Sequence, residues 1–197
     1  MTRRYHHGAL AEAMVDQALA AVRVHGAEHV SLRSIAQALE VSPSAAYNHF
    51  ADRDALLSAV GACGLTALDE RMARALAAHT EDSAEGAVAR FAGLGRAYLT
   101  FAVEETHLFQ LTFGPLCSKG QAGSDDSGPS RKLAAALDEL DRRGLLKPGI
   151  REGLDMVVWA ATHGFANLLV EGYASGDDID GFMAGIERIV LASGSPS

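Results

Sequence analysis

Residues 44–50, SAAYNHF, bring a hydroxyl, a phenol, an amide and an imidazole into one short run. On a helical wheel at about 100° per residue, Ala46 and Phe50 share one side, and Asn48 lies opposite them beside Ser44. An outward asparagine presents the donor and acceptor pair that matches N6 and N7 of adenine in the major groove of DNA. The run therefore predicts a helix that packs through two apolar residues and reads base edges with its polar face.

The flanks of the same helix carry groups suited to phosphate oxygens. Tyr47 and His49 fall one on each side of Asn48, where a hydroxyl and an imidazole can reach the two walls of a groove. Ala45 lies between Asn48 and His49 and is small enough to let the backbone approach the bases closely. The alternative is the solvated face of an ordinary short helix, and these few residues alone leave both interpretations open.

Three predicted helices position this run. The first has an apolar stripe at four-residue spacing, made of Leu10, Met14, Ala18 and Val22. Ser31 is the predicted N-cap of the second helix, whose buried stripe is Leu32, Ile35, Ala36 and Leu39. Ser42 caps the third, and Pro43 takes its first turn, where the missing N–H costs no hydrogen bond. This order of helices, with a tight turn before Pro43, predicts a helix-turn-helix unit.

The rest of the chain also predicts helices, because proline is scarce and alanine and leucine dominate. We expect helices over about 53–78, 85–103, 104–113, 131–143, 150–174 and 178–193, with a polar loop at 118–130. The predicted fold is all-α, with a three-helix N-terminal head joined by a long fourth helix to a helical body, about nine helices in total. Residues 1–52 are the predicted helix-turn-helix domain, and residues 53–197 the domain for ligand binding and dimerisation.

The segment VSPSAAYNHFADRDALL resembles the recognition helix and the start of the fourth helix in the TetR (tetracycline-repressor) family of transcription regulators. The likeness continues upstream through SLRSIAQALEVS, and the length and helix count are similar over the whole chain. Three positions depart from the usual pattern: Glu40 and Ser44 stand where glycine is common, and Ala46 stands where leucine is frequent. We expect the turn to survive these changes and the bases read near Ser44 to differ.

The resemblance implies a set of DNA contacts. Phosphates would be bound from the flanks of the third helix and by Arg53 at the start of the fourth, and bases by the outward residues of the third. The N-terminus of the second helix, at Leu32 and Arg33, would offer backbone N–H groups to a phosphate. Arg3 and Arg4 resemble a flexible arm for a minor groove, with a solvated tail as the alternative. The full predicted set is Arg3, Arg4, Leu32, Arg33, Ser42, Ser44, Ala45, Tyr47, Asn48, His49 and Arg53.

The helix predicted over about 150–174 carries the motif WAATHGF. Trp159 and His163 are four residues apart and so share one helix face. This helix is apolar nearly all round, so we expect it to be covered on every side, and Gly164 would let another backbone come close. The W-x-x-x-H-G element resembles a C-terminal domain subtype of the same family, named for those three residues.

The last predicted helix has an apolar stripe at helical spacing, made of Ile179, Phe182, Met183, Ile186, Ile189 and Val190. Two copies packed about a two-fold axis would bury this stripe and the preceding helix in a four-helix bundle, giving a homodimer through the last two helices. A dimer also places two recognition helices about 34 Å apart, which matches the half-sites of a palindromic operator. The alternative is a helix buried inside a monomer.

Aromatic and imidazole side chains of the body predict a pocket for an aromatic or amphipathic small molecule, between the last helices and helices four to seven. Its candidate lining is Tyr98, Phe101, His107, Phe109, Phe113, Trp159 and His163. Each of these can equally be a core residue, and His163 can be a core histidine with a satisfied hydrogen bond. The expected function is a repressor released from its operator by a small, largely apolar ligand. A DNA-binding dimer without a ligand is the alternative.

Composition limits the other classes of function. The net charge is −8, yet residues 1–53 hold five arginines and five acidic residues, so the rest of the chain carries the whole deficit. A neutral, histidine-rich N-terminal part permits one nucleic-acid patch and argues against general polyanion binding. No nucleophile, zinc or phosphate-loop motif appears, so we expect no enzyme, cofactor or metal. An enzyme would depend on His107, His163 and a neighbouring glutamate.

Two isolated cysteines and the lack of a long apolar run bear on the compartment. Cys63 and Cys117 fit no metal or disulfide framework, which favours small core residues in a reducing compartment over a redox pair. No apolar run approaches the roughly 20 residues of a membrane span, and the N-terminal residues show no signal-peptide pattern. We therefore expect a cytoplasmic protein whose partners are double-stranded DNA, a small-molecule effector and a second copy of itself.

Overall fold

The described part of the chain is built from α-helices. The structure, a computed structural model, describes residues 7–117 and 128–192. Within those residues lie nine α-helices, two short 3-10 turns and one isolated antiparallel bridge between Leu146 and Leu191. The helices are α1 His7–His25, α2 Leu32–Ala38, α3 Pro43–Tyr47, α4 Arg53–Ala77, α5 Ala84–Glu104, α6 Thr106–Thr112, α7 Gly128–Arg142, α8 Leu154–Val170 and α9 Ile179–Val190. The all-α prediction is confirmed.

The helices form two compact units. The first unit includes residues 7–66 and 105–117, and the second unit includes residues 67–104 and 128–192. Helix α4 contributes residues to both units, and α6 belongs to the first. The domain boundary predicted after residue 52 stays a prediction.

Helix α1 buries the stripe that its sequence predicts, namely Leu10, Met14, Ala18 and Val22. The helix ends at His25, and the next residue, Gly26, has a φ of +86°. Glycine populates this backbone region without the steric cost that a Cβ atom imposes. The chain can therefore leave α1 and enter a 3-10 turn at Ala27–His29.

Side-chain caps start three consecutive helices, and two of the caps, Ser31 and Ser42, are the residues that the sequence predicts. Ser31, Ser42 and Asp52 each accept a hydrogen bond from the backbone N–H three residues later, at 3.0, 3.2 and 2.8 Å. Such caps satisfy N–H groups that have no partner within the helix. In the stripe predicted for α2, Leu39 is only half-buried and lies directly after the helix, which ends at Ala38.

Helix α6 packs on α1 and on the first part of α4 within the first unit. Leu108 and Thr112 lie against Gly64, and Cys117 lies against Gly61. A Cβ atom at either glycine would overlap these side chains, so the two glycines set how closely α6 and the residues after it approach α4. Cys117 is a buried core side chain here, and burial raises the pKa of its thiol.

Helix α5 is the centre of the second unit, and α7, α8 and α9 pack on it. Its largest fully buried side chains are Phe91, Leu94, Leu99 and Phe101. Burying such a side chain contributes about 1.5–3 kcal/mol relative to leaving it exposed. Gly95 leaves room for the thioether of Met183 on α9, where a Cβ atom would overlap it. The core of the second unit therefore gathers around one helix.

One largely buried arginine joins three segments of the second unit. Arg90 on α5 donates Nε to the Glu139 carboxylate of α7 at 3.1 Å, and its Nη2 donates to the same group. Its Nη1 donates to the carbonyls of His79 and Glu81, both at 2.9 Å. The hydrogen bond from Arg90 holds the pKa of Glu139 below its ordinary value. Arg90 thus connects α5, α7 and the residues between α4 and α5.

Helix α8 is shorter than the sequence predicts. It covers Leu154–Val170, whereas the apolar pattern indicated about 150–174. Gly153 and Gly172 flank it with φ values of +72° and +79°. These left-handed residues interrupt the helical backbone at both ends. Apolar content alone marks the middle of the helix and not its limits.

Candidate nucleic-acid interface

The turn between α2 and α3 contains Glu40, whose φ of +56° is left-handed and unique among the described non-glycine residues. The N–H of Val41 donates to the carbonyl of Ala36 at 3.0 Å, and that of Glu40 donates to Gln37 at 3.1 Å. This pair of bonds is the Schellman arrangement, in which the position of Glu40 is usually glycine. The turn therefore survives the loss of the common glycine, at the cost of a strained backbone.

Helix α3 turns polar side chains outward. Ala46 is completely buried, Tyr47 is 50% exposed, and Ser44 and Asn48 are exposed. The half-buried residues of the segment are Ala45, His49 and Phe50. The helical wheel therefore placed the inward alanine and the outward asparagine correctly. The short helix exposes a hydroxyl and a phenol, and Asn48 directly after it exposes an amide.

The start of α2 offers its backbone and one arginine. Ser31 and Ser34 form a reciprocal capping box, with the N–H of Ser31 donating to the Ser34 hydroxyl at 3.1 Å. The Leu32 side chain is buried, so only its backbone can meet a phosphate, whereas Arg33 is exposed. Ser42 is exposed and uses its hydroxyl as the α3 cap. Arg3 and Arg4 lie outside the described residues.

Arg53, the first residue of α4, is bonded to the protein's own backbone. Its Nε donates to the carbonyl of Val30 at 2.9 Å, and its Nη2 donates to that of Ala27 at 2.7 Å. Its Nη1 lies 3.6 Å from the Asp54 carboxylate, and the side chain is 41% exposed. The phosphate contact predicted for Arg53 stays a prediction. No sequence pattern indicated its two carbonyl partners.

Three of the predicted pocket residues form one cluster in the second unit. The Tyr98 hydroxyl lies 2.8 Å from Nδ1 of His163, and the Trp159 indole stacks on the same imidazole with ring centres 5.1 Å apart. Burial raises the pKa of Tyr98 and lowers that of His163. Burial therefore favours the uncharged form of both side chains, which share one hydrogen bond between the Tyr98 hydroxyl and Nδ1 of His163.

The other four predicted pocket residues lie elsewhere. Phe101 is completely buried in the second unit. His107, Phe109 and Phe113 belong to the first unit, where the two phenyl rings are 5.0 Å apart. Nδ1 of His107 lies 3.3 Å from the carbonyl of Arg23 on α1. The seven residues therefore fall into a second-unit group of four and a first-unit group of three.

An open cavity of about 390 Å³ lies in the second unit among α4, α5 and α7. Its walls contain two ion pairs, Lys132 with Asp69 and Arg90 with Glu139. None of the seven predicted pocket residues is among those lining it. The predicted apolar lining and this charged cavity are thus different places in the chain.

Helices α8 and α9 leave apolar side chains exposed. Met156, Val157 and Leu168 on α8 are 61%, 60% and 45% exposed, and Ile189 on α9 is 63% exposed. A Cβ atom on Gly164 would meet no other atom within 4 Å. The expectation that α8 is covered on every side is therefore not met within one described chain. The sequence did not indicate that Met156 and Val157 lie on the surface of the chain.

The stripe predicted for α9 divides between core and surface. Met183, Ile186 and Val190 are buried in the second unit. Phe182 stacks on Phe165 of α8 with ring centres 4.2 Å apart. In the second half of α9, Ile186 and Val190 are buried and Ile189 is the stripe residue that is exposed. It is the stripe residue best placed to meet another molecule.

Residues 7–117 and 128–192 contain neither a candidate metal site nor a helix able to cross a membrane. Among them, no three His, Cys, Asp or Glu side chains are grouped so that they could hold a metal ion. None of the described helices has the length and apolar character that crossing a membrane requires.

Comparisons with known proteins decide the family. Residues 15–60 match the family described as bacterial regulatory proteins, tetR family. Residues 91–189, half of the chain, match the family described as the tetracyclin repressor-like C-terminal domain. The chain belongs to the TetR family. The resemblance noted in the sequence is confirmed, and the polar face of α3 lies in the DNA-binding part of a TetR-family transcription regulator.

Solved structures extend this TetR-family likeness over nearly the whole chain. A Rhodococcus sp. RHA1 protein of unknown function is 30% identical, with 94% of this chain and 95% of that chain covered and a TM-score of 0.69. A tetR-family regulatory protein from Rhodococcus RHA1 is 18% identical, with 93% and 98% covered and a TM-score of 0.65. A TetR family transcription regulator from Marinobacter aquaeolei VT8 is 19% identical, with 92% and 95% covered and a TM-score of 0.60. The last two show the shared fold alone. No curated protein gave a match.

Proposed function

We propose that this protein is a dimeric transcriptional repressor that binds a palindromic operator through α3 and leaves it when a small, largely apolar ligand binds. The observation that carries the proposal is the exposed polar face of α3, presented by the Ser42 cap and the left-handed turn at Glu40. Membership of the TetR family supplies the DNA-binding regulator. The further elements of the proposal are that the protein represses transcription, that its operator is palindromic and that a ligand releases it.

The proposed readout divides bases from phosphates on α3. Asn48, exposed at the C-terminal end of the helix, would pair with adenine N6 and N7, with Ser44 and Ala45 beside it. Tyr47 and His49 on the flanks would bind phosphates, which fix the orientation of the helix on the duplex. Arginine side chains would add charge from α2 and from the N-terminal arm, at Arg33, Arg3 and Arg4. The backbone N–H of Leu32 and the hydroxyl of Ser42 complete the proposed set.

The proposed dimer forms through α8 and α9. Val157, Leu168 and Ile189 are large apolar side chains that one described chain leaves in water, and Gly164 leaves room for a close approach. Covering such side chains is favourable by roughly 25 cal/mol per Å² of apolar surface removed from water. Two copies would cover them on each other, and a two-fold axis would present two α3 helices to the half-sites of an inverted repeat.

The proposed effector site involves the Tyr98–His163–Trp159 cluster of the second unit. Trp159 is 40% exposed, so its indole can contact a ligand while it stacks on the imidazole. A ligand changes DNA affinity only as far as it binds one conformation better, and a tenfold change needs about 1.4 kcal/mol of coupling. Trp159 is the only tryptophan. An effector should therefore alter tryptophan fluorescence over the concentrations at which it releases DNA, and Trp159→Ala should lose the release.

Selection of duplexes from a randomised pool tests the DNA-binding proposal. The wild-type protein should enrich an inverted repeat whose half-sites are about one helical turn apart. Competition with unselected duplex at fixed salt then gives the specificity ratio, which for specific binders is typically about 10³ or more. Enrichment of a single unrepeated site would contradict the dimeric readout, and no enrichment at all would contradict sequence-specific binding.

A further inference from the structure

Arg53 joins the two ends of the helix-turn-helix segment. It bonds to the carbonyl of Val30, directly before the Ser31 cap of α2, and to the carbonyl of Ala27 in the turn before that. These bonds link residues 23 and 26 positions apart in the chain. Both α2 and α3 lie between the linked positions. One side chain at the start of α4 therefore closes the segment that carries the recognition helix.

The guanidinium group fits this task through its geometry. Nε and Nη2 form one edge of a rigid planar fork, and each donates to a different carbonyl. The carbonyl of Ala27 also accepts from the N–H of Val30 at 3.1 Å, so the fork binds a turn that is already hydrogen-bonded. The remaining nitrogen, Nη1, lies near the Asp54 carboxylate. A lysine would keep the charge and lose the fork, because it carries a single nitrogen.

We infer that Arg53 is a positioning residue for DNA binding, which sets the placement of α3 on α4 by holding the Ala27–Val30 turn, and that it is not a phosphate contact. The inference rests on the proposed DNA-binding function. A hydrogen-bonded residue of this kind acts through the orientation of the recognition helix, whereas a phosphate contact acts through its charge. The two roles predict different responses to a charge-preserving substitution.

The test compares the wild type with Arg53→Lys and Arg53→Met on the duplex that the wild type selects. Binding is measured across a salt series at 10 °C, and circular dichroism establishes that each variant is folded. Both variants should lose affinity for the selected duplex by about tenfold or more, which is about 1.4 kcal/mol. The slope of log K against log salt should equal that of the wild type, and affinity for unselected duplex should not change. Arg74→Lys and Arg74→Met are the matched control, because Arg74 lies exposed on the same helix, α4, and outside the proposed DNA-binding set: both variants there should bind like the wild type.

Three results would overturn the inference. If Arg53→Lys binds like the wild type while Arg53→Met lowers the salt slope by about 0.9 per lost contact, Arg53 binds a phosphate. If both variants bind like the wild type and only unfold at lower temperature, Arg53 contributes stability alone. If Arg53→Lys does not fold at 10 °C, the fork maintains the fold and does more than position α3. Failure of the proposed function is a separate result, since the wild type itself would then select no duplex.

Discussion

The two units expose opposite kinds of surface. In the first unit, the five-residue helix α3 exposes hydroxyl and phenol groups, and the adjoining Asn48 exposes an amide. In the second unit, α8 and α9 expose Met156, Val157 and Ile189 on helices of 17 and 12 residues. A polar face on a short, capped helix suits hydrogen bonds to base edges. A longer apolar face suits another apolar face, and for this reason we propose DNA reading for the first unit and self-association for the second.

Each unit contains an arginine that binds backbone carbonyls, Arg53 in the first and Arg90 in the second, and the two differ in their other partners and in their exposure. Arg53 and Arg90 each donate to two backbone carbonyls. Arg90 also donates two hydrogen bonds to the Glu139 carboxylate, whereas the carboxylate nearest Arg53, that of Asp54, lies 3.6 Å from Nη1. The Arg53 side chain is 41% exposed and the Arg90 side chain 15%. Water can replace part of the hydrogen bonding at the more exposed Arg53, whereas it has less access to the partners of Arg90, and the Glu139 carboxylate would keep only its bond from Arg143. We therefore expect the second unit to depend on its arginine more strongly for stability.

Removal of Arg90 should be the most damaging single change. Arg90→Met removes the four hydrogen bonds that Arg90 donates and leaves Arg143 as the remaining donor to the Glu139 carboxylate, which should cost about 3–5 kcal/mol of unfolding free energy. Urea unfolding followed by circular dichroism measures this loss. Arg96→Met is the matched control, because Arg96 pairs with the exposed Asp180, and such surface pairs contribute about 0–1 kcal/mol. Equal losses for the two variants would contradict a special role for Arg90.

A charge on the exposed apolar face should break the proposed dimer. Ile189→Asp would place an unpaired carboxylate in a packed interface, which costs several kcal/mol, roughly 2–5, of association free energy. Sedimentation should then show a folded monomer. Val24→Asp is the control, because Val24 on α1 is 67% exposed and Ile189 is 63% exposed, yet Val24 lies outside the proposed interface. A dimeric Ile189→Asp protein would place the interface elsewhere.

Most of the features that could be predicted for the first unit follow from local sequence signals. The caps at Ser31 and Ser42 and the burial of Ala46 depend on residues within four positions, so periodicity and capping rules suffice. The partners of Arg53 are 23 and 26 residues away and are backbone carbonyls, which carry no sequence signature. The left-handed turn at Glu40 was foreseeable only as a departure from a common glycine.

Long-range packing limits what could be predicted in the second unit. The apolar stripe of α9 was visible, but a wide stripe can meet different neighbours along its two edges. Ile186 and Val190 are buried in their own unit, whereas Ile189 is exposed. A charge at Ile186 would therefore test the core of one chain. The Tyr98–His163 bond joins positions 65 residues apart, and no local pattern indicates such a pairing.

Lowering the pH should destabilise the second unit, because His163 then takes up a proton. Burial holds the pKa of His163 below its ordinary value, so the unfolded chain binds this proton more readily than the folded chain. The contribution to stability is complete above the unfolded pKa of about 6.5, and it is lost as the pH falls through that value toward the folded pKa. Fluorescence of the stacked Trp159 should change with a midpoint below about 6.5, and His163→Gln should abolish that change. A midpoint above the ordinary pKa would contradict the neutral assignment.

Relief of strain at Glu40 should give the smallest effect, and a stabilising one. A left-handed backbone costs an L-residue about 1–2 kcal/mol, and the extra freedom of glycine in the unfolded chain offsets part of the gain. Glu40→Gly should therefore stabilise the protein by roughly 0.5–1 kcal/mol in thermal unfolding. Glu40→Ala keeps a Cβ atom and should gain little. An equal gain from alanine would attribute the effect to the lost carboxylate and not to the backbone.

The base preference of an Asn48 variant tests the assignment of DNA reading to α3 most directly. Wild-type protein and Asn48→Ala are compared on the selected duplex and on duplexes with one symmetric base-pair change in each half-site. If Asn48 reads a base, Asn48→Ala loses about 1–3 kcal/mol on the selected duplex, becomes indifferent to one base pair at the same position in both half-sites, and keeps the salt slope of the wild type. An Asn48→Ala protein that retains the full base preference at every position of both half-sites would show that Asn48 does not read a base.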